Sequence, residues 1–476
     1  MVRGTTYLVV AHVVFLFSGY IIHIVLGRHF GPETYGNYGV VLNLMTTINL
    51  LLISGFPQAA SKYIAEDKAN IGSIVKTSIR IQALFAGITF GIYFGLAGVI
   101  ANLLNDDSLV NSIRISALVV PVYAIFVIYN NGYLNGLGYF GKQAKTLILS
   151  SIVKVAAVLA LVFIGFMING AILGYLIAAV IGLFFASRYL GRLEKSDVSF
   201  DWKKLLRFGV PATFVSMILF LLMNIDLFLL KGLASASDQA GYYTSATTLA
   251  KVPYFIMGAL ALSLMPSISK STFVNDIQLT QSYIRQSTRY MLMFLMPVVL
   301  VISATSGGLI ELVYTAEYSE AARSLAVLIL GLSMLSVFLV LANVIMGSGR
   351  PLIPMFMGFV LVFVDIGLNL YLIPRYDMLG AAWATTITAS LGAFIAAIYV
   401  VLVFKTLISF KSFMRVCVAS LLVWTIPLYV YVTPVLLPFV YIGLALLYLG
   451  VLMLIKELRK DDLEMLKRVF PSSRFR

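Results

Sequence analysis

The chain has 476 residues, of which 61% are hydrophobic and only 11% are charged, and its mean hydropathy is +0.98. Because so few polar side chains cannot cover a water-facing surface, the composition excludes a soluble globular domain and indicates a polytopic membrane protein. The formal net charge of +14 therefore concerns the orientation in the bilayer, and no nucleic-acid partner is expected.

The first apolar segment begins next to the N-terminus and predicts a membrane-spanning helix. After Met1-Val2-Arg3 the chain is apolar from about Thr6 to Leu26. The segment approaches the roughly 20 residues that cross the hydrocarbon, and no small-x-small cleavage site follows it. We therefore expect an uncleaved first helix rather than a signal peptide.

Further apolar spans follow, each bounded by charged residues, Gly or Pro and each long enough to cross the hydrocarbon as a helix. In chain order the spans are 6–27, 38–58, 77–104, 114–134, 146–167, 169–188, 207–230, 244–268, 289–312, 323–346, 351–373, 379–404, 413–431 and 435–455. The prediction is an all-α polytopic membrane protein with about 14 transmembrane helices.

The connections divide these helices into two pseudo-symmetric six-helix lobes and a C-terminal helix pair. The longest cytoplasmic connection places Trp202 among basic and apolar residues, a pattern typical of a short interfacial helix. The predicted domains are an N-terminal six-helix lobe (1–188), a cytoplasmic linker with the interfacial helix (189–206), a C-terminal six-helix lobe (207–404), and two additional transmembrane helices with a basic cytoplasmic tail (405–476).

Features of the first half recur in the same order in the second half. In the first set, His23 matches Asp226, Arg28 matches Lys231, and Tyr35-Gly36 matches Ala240-Gly241. In the second set, Gly136-Leu137-Gly138 matches Gly347-Ser348-Gly349, Lys154 matches Asp365, and Gly170-Ala171 matches Gly380-Ala381. A duplicated bundle with charges at matching depths suits a two-lobed transporter, in which one repeat rocks against the other around a central site. We therefore expect the functional site to lie between the lobes.

The distribution of basic residues predicts the orientation of the chain. With the N-terminus inside, 27 Lys and Arg fall on the cytoplasmic side and 5 on the external side. This asymmetry agrees with the excess of basic residues in cytoplasmic loops. An even number of helices then puts both termini in the cytoplasm, and the expected location is the cytoplasmic (plasma) membrane, crossed many times.

Several ionisable residues lie inside apolar spans, where a charge normally faces the protein interior or water and finds a partner. They are Lys154, Asp226, Lys251 and Asp365. Asp226 and Lys251 lie on sequential helices, so they could pair as an outer gate or as a structural link between two helices. Lys154 and Asp365 occupy matching positions, which predicts either an interlobe contact that breaks as the lobes rock or separate burial in each lobe. Lys154 is also the best cation for an anionic phosphate linkage.

His23 and Arg28 complete the set of candidates for substrate contact or gating. His23 shares a helix face with His12, and a shared face near neutral pKa could serve proton coupling. A hydrogen bond between helices is the favoured explanation for a histidine on an apolar helix. His23 carries more weight than His12 because Asp226 is its counterpart in the repeat.

Two motifs resemble signatures of a known family. Gly27-Arg28-His29-Phe30-Gly31-Pro32-Glu33-Thr34-Tyr35-Gly36-Asn37-Tyr38-Gly39 resembles the opening signature of the polysaccharide transporter (oligosaccharide flippase) branch of the multidrug/oligosaccharidyl-lipid/polysaccharide exporter superfamily. Leu206-Arg207-Phe208-Gly209-Val210-Pro211, Asp226 and Gly241-Tyr242-Tyr243 resemble its second-half signature. The resemblance covers nearly the whole chain.

The resemblance implies a flippase. Two six-helix lobes would enclose a cavity through which the glycan headgroup of a polyprenyl-linked oligosaccharide crosses the membrane, while the lipid tail stays in the bilayer. The last two helices are similar to those that can form a groove for the lipid tail in fourteen-helix members of the family. The expected partners are the polyprenyl-linked glycan and the bilayer, and the protein is expected to be a monomer. The sequence leaves open whether a proton or sodium is a coupling ion.

Other function classes fit the residues less well. A membrane glycosyltransferase needs grouped carboxylates with metal or acid/base partners, whereas the external Asp106-Asp107 has no His or Cys partner and reads as a solvated turn. The single Cys417 offers no metal or redox motif, so we expect no catalytic residue, no metal and no cofactor. A cation-coupled multidrug exporter of the same superfamily would have the same fold and is the serious alternative.

Overall fold

The computed structural model of the protein describes residues 2–53, 55–67, 70–189, 200–429 and 432–458. Most of the predicted linker at 189–206 and the predicted basic tail after Leu458 lie outside these ranges. Within them the secondary structure is helical, without a strand. This agrees with the predicted all-α class.

Sixteen α-helices run through the described chain. The first eight are α1 (Val2–Ile53), α2 (Phe56–Glu66), α3 (Ile71–Gly95), α4 (Ala97–Leu103), α5 (Leu109–Val127), α6 (Phe140–Leu161), α7 (Met167–Arg188) and α8 (Trp202–Leu233). The others are α9 (Gln239–Ala250), α10 (Val252–Phe273), α11 (Ile277–Ala304), α12 (Ser306–Val313), α13 (Ala321–Gly347), α14 (Leu352–Phe404), α15 (Phe410–Tyr429) and α16 (Leu437–Leu454). Two π-helical segments, Ile128–Leu134 and Val162–Phe166, extend α5 and α6.

Backbone breaks divide the longest helical runs into separate membrane crossings. The part of the chain that the structure describes contains 9 helical runs long and apolar enough to span a membrane. Three of these runs contain 61, 49 and 53 residues. Since about 20 residues suffice for one crossing, each long run can hold two. Non-helical backbone at Gly31, at Gly165 and at Asp377 marks the division in the three runs. The multi-pass prediction is confirmed, and the predicted number of helices agrees approximately.

The chain forms two compact units. The first contains Met1–Thr244 with Asn369–Met378, and the second contains Ser245–Leu368 with Leu379–Arg476. The lobe boundaries expected from the repeat, near residues 188, 207 and 404, stay predictions.

The repeated G-x-G motif has the same structural role in both units. A Cβ on Gly136 would lie 2.8 Å from the Ser61 carbonyl oxygen, and a Cβ on Gly347 would lie 2.8 Å from the Met265 carbonyl oxygen. The first glycine of each motif therefore lets two helices approach closely, as small residues do in membrane proteins. The second glycine, Gly138 or Gly349, has a positive φ of 72° or 86°. It ends the helix in the left-handed region that favours glycine.

Candidate functional site

His23 and two tyrosines form a cluster at the break of α1. His23 Nδ1 lies 2.9 Å from the Tyr35 hydroxyl, and the His23 ring makes edge contacts with the rings of Tyr35 and Tyr38. On a straight helix, a separation of 12 residues would place His23 and Tyr35 about 18 Å apart. The non-helical backbone of Gly31, with φ 71° and ψ 170°, bends the chain so that these side chains meet.

Lys154 lies on α6 as a buried cation between aromatic rings. The residue is 7% exposed, and its Nζ is 4.4 Å from the centroid of the Phe15 ring and 5.6 Å from that of Tyr175. These are cation–π distances. Among the described residues, the ion pairs of the protein do not include Lys154. A buried aromatic site that holds a positive charge can attract an anionic group.

The Lys154 site is connected to the His23 cluster through two tyrosines. The Tyr175 hydroxyl lies 3.3 Å from the Tyr38 hydroxyl, and the Tyr38 ring centroid is 5.8 Å from that of His23. Two of the predicted site residues therefore belong to one assembly of buried and half-buried side chains in the first unit. We call this assembly the aromatic cluster and define it as His23, Tyr35, Tyr38, Lys154 and Tyr175.

Asp226 on α8 is a buried carboxylate held by a tyrosine. Asp226 is 1% exposed, and the fully buried Tyr243 donates its hydroxyl proton to Asp226 Oδ2. The backbone N–H of Leu227 donates to Oδ1 at 2.8 Å. Tyr243 stands two residues after Gly241, as Tyr38 stands two residues after Gly36. Equivalent tyrosines of the repeats therefore contact the two equivalent residues, His23 and Asp226.

Tyr35-Gly36 and its counterpart in the second repeat, Ala240-Gly241, are in direct contact. A Cβ on Gly36 would lie 2.5 Å from the backbone nitrogen of Gly241, and a Cβ on Gly39 would lie 2.6 Å from Thr244 Oγ1. Neither contact leaves room for a larger side chain, so the second part of α1 packs closely against the start of α9, through the backbone at Gly241 and through the side chain at Thr244. This explains why both repeats carry glycine at the matched position.

At one end of α8, Lys231 forms an ion pair that the sequence interpretation missed. Lys231 Nζ lies 2.8 Å from Asp106 Oδ2, and Ser108 donates to the same carboxylate. Burial tends to raise the pKa of Asp106, but hydrogen bonds from Lys231 and Ser108 and the Lys231 charge outweigh burial and lower the pKa. Asp106 therefore lies in the expected turn, but an ion pair holds its side chain half-buried, whereas Asp107 is exposed.

The remaining predicted residues are Arg28, Lys251 and Asp365. Arg28, the counterpart of Lys231, is exposed. Lys251 precedes α10 and is half-buried, and Asp365 on α14 is 1% exposed. Both belong to the second unit. The proposed pairs of Asp226 with Lys251 and of Lys154 with Asp365 stay predictions. Among the described residues, no group of three or more His, Cys, Asp or Glu could hold a metal ion.

The second unit contains a large apolar groove between α11, α15 and α16. Its volume is about 720 Å³, within the usual range for ligand sites. Its walls include Met293, Pro297, Val301, Leu444, Tyr448 and Leu452. Tyr448 donates its hydroxyl proton to the Met293 carbonyl oxygen at 2.9 Å, which fixes α16 against α11. We call this cavity the apolar groove.

Sequence reasoning missed the tyrosines that hold the predicted residues. Tyr35, Tyr38 and Tyr243 lie within the family motifs, but neither their spacing nor their residue type assigns His23 or Asp226 as their partner, and Tyr175 lies outside these motifs. The matched placement of Tyr38 and Tyr243 after Gly36 and Gly241 was a usable signal. Tyr175 left none, because its contact with Tyr38 joins residues 137 positions apart.

The repeated helices, buried charges and apolar groove define a multi-pass membrane transporter with an internal duplication. The chain belongs to the polysaccharide biosynthesis protein family, whose model matches residues 1–272. It is 23% identical over 427 residues to an uncharacterized membrane protein of Methanocaldococcus jannaschii, with 85% of this chain and 98% of that protein covered. It is 22% identical over 389 residues to a provisionally assigned O-antigen transporter of Shigella flexneri, with 77% and 90% covered.

Solved structures share the fold at low sequence identity. The lipid II flippase MurJ in its inward closed conformation superimposes with a TM-score of 0.79 at 14% identity, covering 95% of this chain and 98% of that one. An inward-facing multidrug resistance MATE transporter superimposes with a TM-score of 0.72 at 14% identity, covering 82% of this chain and 94% of that one.

Proposed function

We propose that this protein is a flippase that moves polyprenyl-linked oligosaccharide, a precursor of polysaccharide or another glycan, across the cytoplasmic membrane. It works by alternating access between two lobes. Membership of the polysaccharide biosynthesis family supports the substrate class. The relatives named an O-antigen transporter and a lipid II flippase handle substrates that fit this proposal.

The apolar groove is the observation that carries the proposal. A flippase substrate has a long hydrocarbon tail, and a groove of about 720 Å³ with apolar walls can hold part of such a tail. The helices that build it include α15 and α16, the pair appended after the repeats. The flippase structure matches a larger share of this chain than the multidrug transporter structure does, which favours a lipid-linked cargo over a small cation.

The aromatic cluster suits the other end of the substrate. The Lys154 ammonium can pair with the phosphate that joins sugar to lipid, because a buried charge gains most from an opposite charge in a medium of low dielectric. Tyrosine rings offer flat apolar faces with a polar edge, which sugars can stack on. In this proposal Lys154 and His23 contact the substrate, and Asp226, Lys251, Asp365 and Arg28 take part in gating.

The proposal includes an orientation in the membrane, an oligomeric state and a source of energy. Both termini lie in the cytoplasm, the protein works as a monomer, and it is a carrier rather than an enzyme. A proton or sodium gradient is its candidate source of energy. The excess of Lys and Arg on one side supports the orientation.

Transport by purified protein in proteoliposomes tests this function. A fluorescent lipid-linked oligosaccharide and a cationic dye are assayed side by side, with a pH gradient, a sodium gradient or neither. We expect the labelled lipid to change leaflets in vesicles with protein, and the dye to remain where it was loaded. Dye efflux without lipid translocation would instead identify a multidrug exporter.

A further inference from the structure

A second concave surface lies at the start of α15. Its volume is about 390 Å³, and it is lined by Phe410, Lys411, Met414, Arg415, Val418 and Ile455. The residues that line this surface differ from those that line the apolar groove. We call this second surface the basic groove.

Positive charge gathers along one side of the basic groove. Lys411 and Arg415 are four residues apart on α15, so they share a helix face. Arg415 Nη1 also lies 3.3 Å from the backbone oxygen of Lys456, which brings the exposed Lys456 next to the groove. Two cationic side chains, Lys411 and Arg415, thus line one small surface, and the exposed Lys456 follows Ile455 of the same lining.

The nearby acid is directed inward. Glu457 is 3% exposed, and its Oε1 lies 2.8 Å from Arg289 Nε and accepts from the Ser412 hydroxyl. Its Oε2 reaches Arg415 only at 3.4 Å. Since Arg289 already offsets the Glu457 charge, the groove keeps its positive charge toward the outside.

The other side of the basic groove is apolar and exposed. Phe410, Met414 and Val418 follow one another at four-residue steps and are 78%, 43% and 47% exposed. Side chains at this spacing form a ridge along the helix. The ridge leads from the cationic end of α15 toward the middle of the predicted span.

We propose that the basic groove binds an anionic glycerophospholipid of the bilayer. The lipid phosphate pairs with Lys411 and Arg415, and one acyl chain lies along the ridge of Phe410, Met414 and Val418. Basic pockets at the ends of membrane helices recognise anionic headgroups in this way. A zwitterionic headgroup of the same size brings an ammonium close to these cations and binds less well. This site does not depend on the transported substrate.

Native mass spectrometry of the delipidated full chain tests the proposal. Phosphatidylglycerol and phosphatidylcholine with identical acyl chains are titrated separately. We expect the first phosphatidylglycerol to bind more tightly than phosphatidylcholine. Lys411→Gln should reduce the affinity for phosphatidylglycerol roughly fivefold, and Lys411→Glu should abolish the preference. Lys411 is exposed and its replacement leaves the Arg289–Glu457 pair intact.

The matched control is Lys270→Gln, which removes an exposed lysine from the last turn of α10 in the same unit. It should leave both lipid affinities unchanged. Equal binding of the two lipids by the wild type would overturn the proposal. So would an undiminished preference in Lys411→Glu, or an equal loss in Lys270→Gln, since the latter would point to net charge alone.

Discussion

Met167 and Asp377 share one unusual backbone conformation, with φ and ψ of 48° and −134° in Met167 and of 47° and −132° in Asp377. Each stands three residues before a glycine of the repeat, Gly170 or Gly380. The side chains differ in role. Asp377 accepts hydrogen bonds from the backbone nitrogen and the hydroxyl of Ser235, both at 2.8 Å, whereas Met167 is 46% exposed. The two repeats thus share the break in the helical backbone, but the side chain at the break makes hydrogen bonds only at Asp377.

Replacing Met167 with glycine should stabilise the protein. A non-glycine residue in this region costs about 1–3 kcal/mol, and glycine adopts positive φ without that strain. We expect Met167→Gly to raise the free energy of unfolding by about 1 kcal/mol. Asp377→Gly should lower it by about 1 kcal/mol, because the loss of two hydrogen bonds outweighs the relief. Thermal unfolding in detergent measures both, with Met167→Ala as control. A destabilised Met167→Gly would contradict the strain argument.

Removal of the Lys154 charge should slow transport without unfolding the protein. Methionine fills a similar volume between Phe15 and Tyr175, while the cation that would pair with phosphate is gone. We expect Lys154→Met to lower the rate of lipid translocation by at least about tenfold, the equivalent of one lost interaction of about 1.4 kcal/mol. Lys154→Arg should retain part of the rate. Wild-type translocation by Lys154→Met, measured beside Lys270→Gln, would rule out a role of this charge.

Tyr243 should contribute more to stability than its repeat counterpart Tyr38. Tyr243→Phe removes a donor from the buried Asp226 carboxylate, and we expect a loss of about 1–3 kcal/mol. Tyr38→Phe removes only the 3.3 Å contact with the Tyr175 hydroxyl and should be milder. Thermal unfolding of Tyr243→Phe, Tyr38→Phe, Asp226→Asn and the double variant of Tyr243→Phe with Asp226→Asn gives the coupling between Tyr243 and Asp226. Equal effects of Tyr243→Phe and Tyr38→Phe would show that the hydrogen bond to Asp226 contributes no more to stability than the contact between Tyr38 and Tyr175.

The gating hypothesis for Asp226 and Lys251 can be tested by a double-mutant cycle. Asp226→Asn and Lys251→Met should each slow lipid translocation, and the double variant should be less impaired than the product of the two effects predicts, since each single change leaves one charge without its proposed partner. Translocation is measured in proteoliposomes and folding by thermal unfolding. Folded single variants with wild-type rates would end the gating hypothesis.

The Asp106–Lys231 pair should stabilise the protein only above the acid range. The pKa of Asp106 is lowered in the folded state, so its contribution is present above the unfolded pKa of about 3.9 and is lost as the pH falls through the folded value. At pH 7, Asp106→Asn should reduce the free energy of unfolding by up to about 1 kcal/mol, a figure limited by the partial exposure of the pair.

Urea unfolding of the wild type and Asp106→Asn from pH 7 downward measures this difference. The difference in free energy of unfolding between the two proteins should stay constant down to about pH 5. It should vanish at lower pH, where protonation leaves the Asp106 carboxyl of the wild type uncharged, like the amide of Asp106→Asn. Asp107→Asn changes the exposed neighbour and should show no such pH dependence. A difference that persists in acid would mean that Asp106 acts through packing rather than charge.

The sequence by itself determined the membrane class, the approximate number of helices and the internal duplication. The membrane class and the number of helices are local properties, because about 20 apolar residues cross a bilayer wherever they occur. The duplication is visible because the G-x-G motif at Gly136 recurs at Gly347. Residue chemistry also singled out Lys154 and Asp226, since an ionisable group in an apolar span is conspicuous.

Only the tertiary structure decided which side chains meet these residues. The contact of Tyr38 with Tyr175, the pair of Lys231 with Asp106, and the link of Arg289 to Glu457 across 168 positions depend on how helices pack. Packing follows from shape complementarity over many residues at once. Neither the spacing nor the periodicity of a single helix contains that information. The break at Gly31 shows the same limit, because the glycine was visible but the 2.9 Å approach of His23 to Tyr35 required the bent chain.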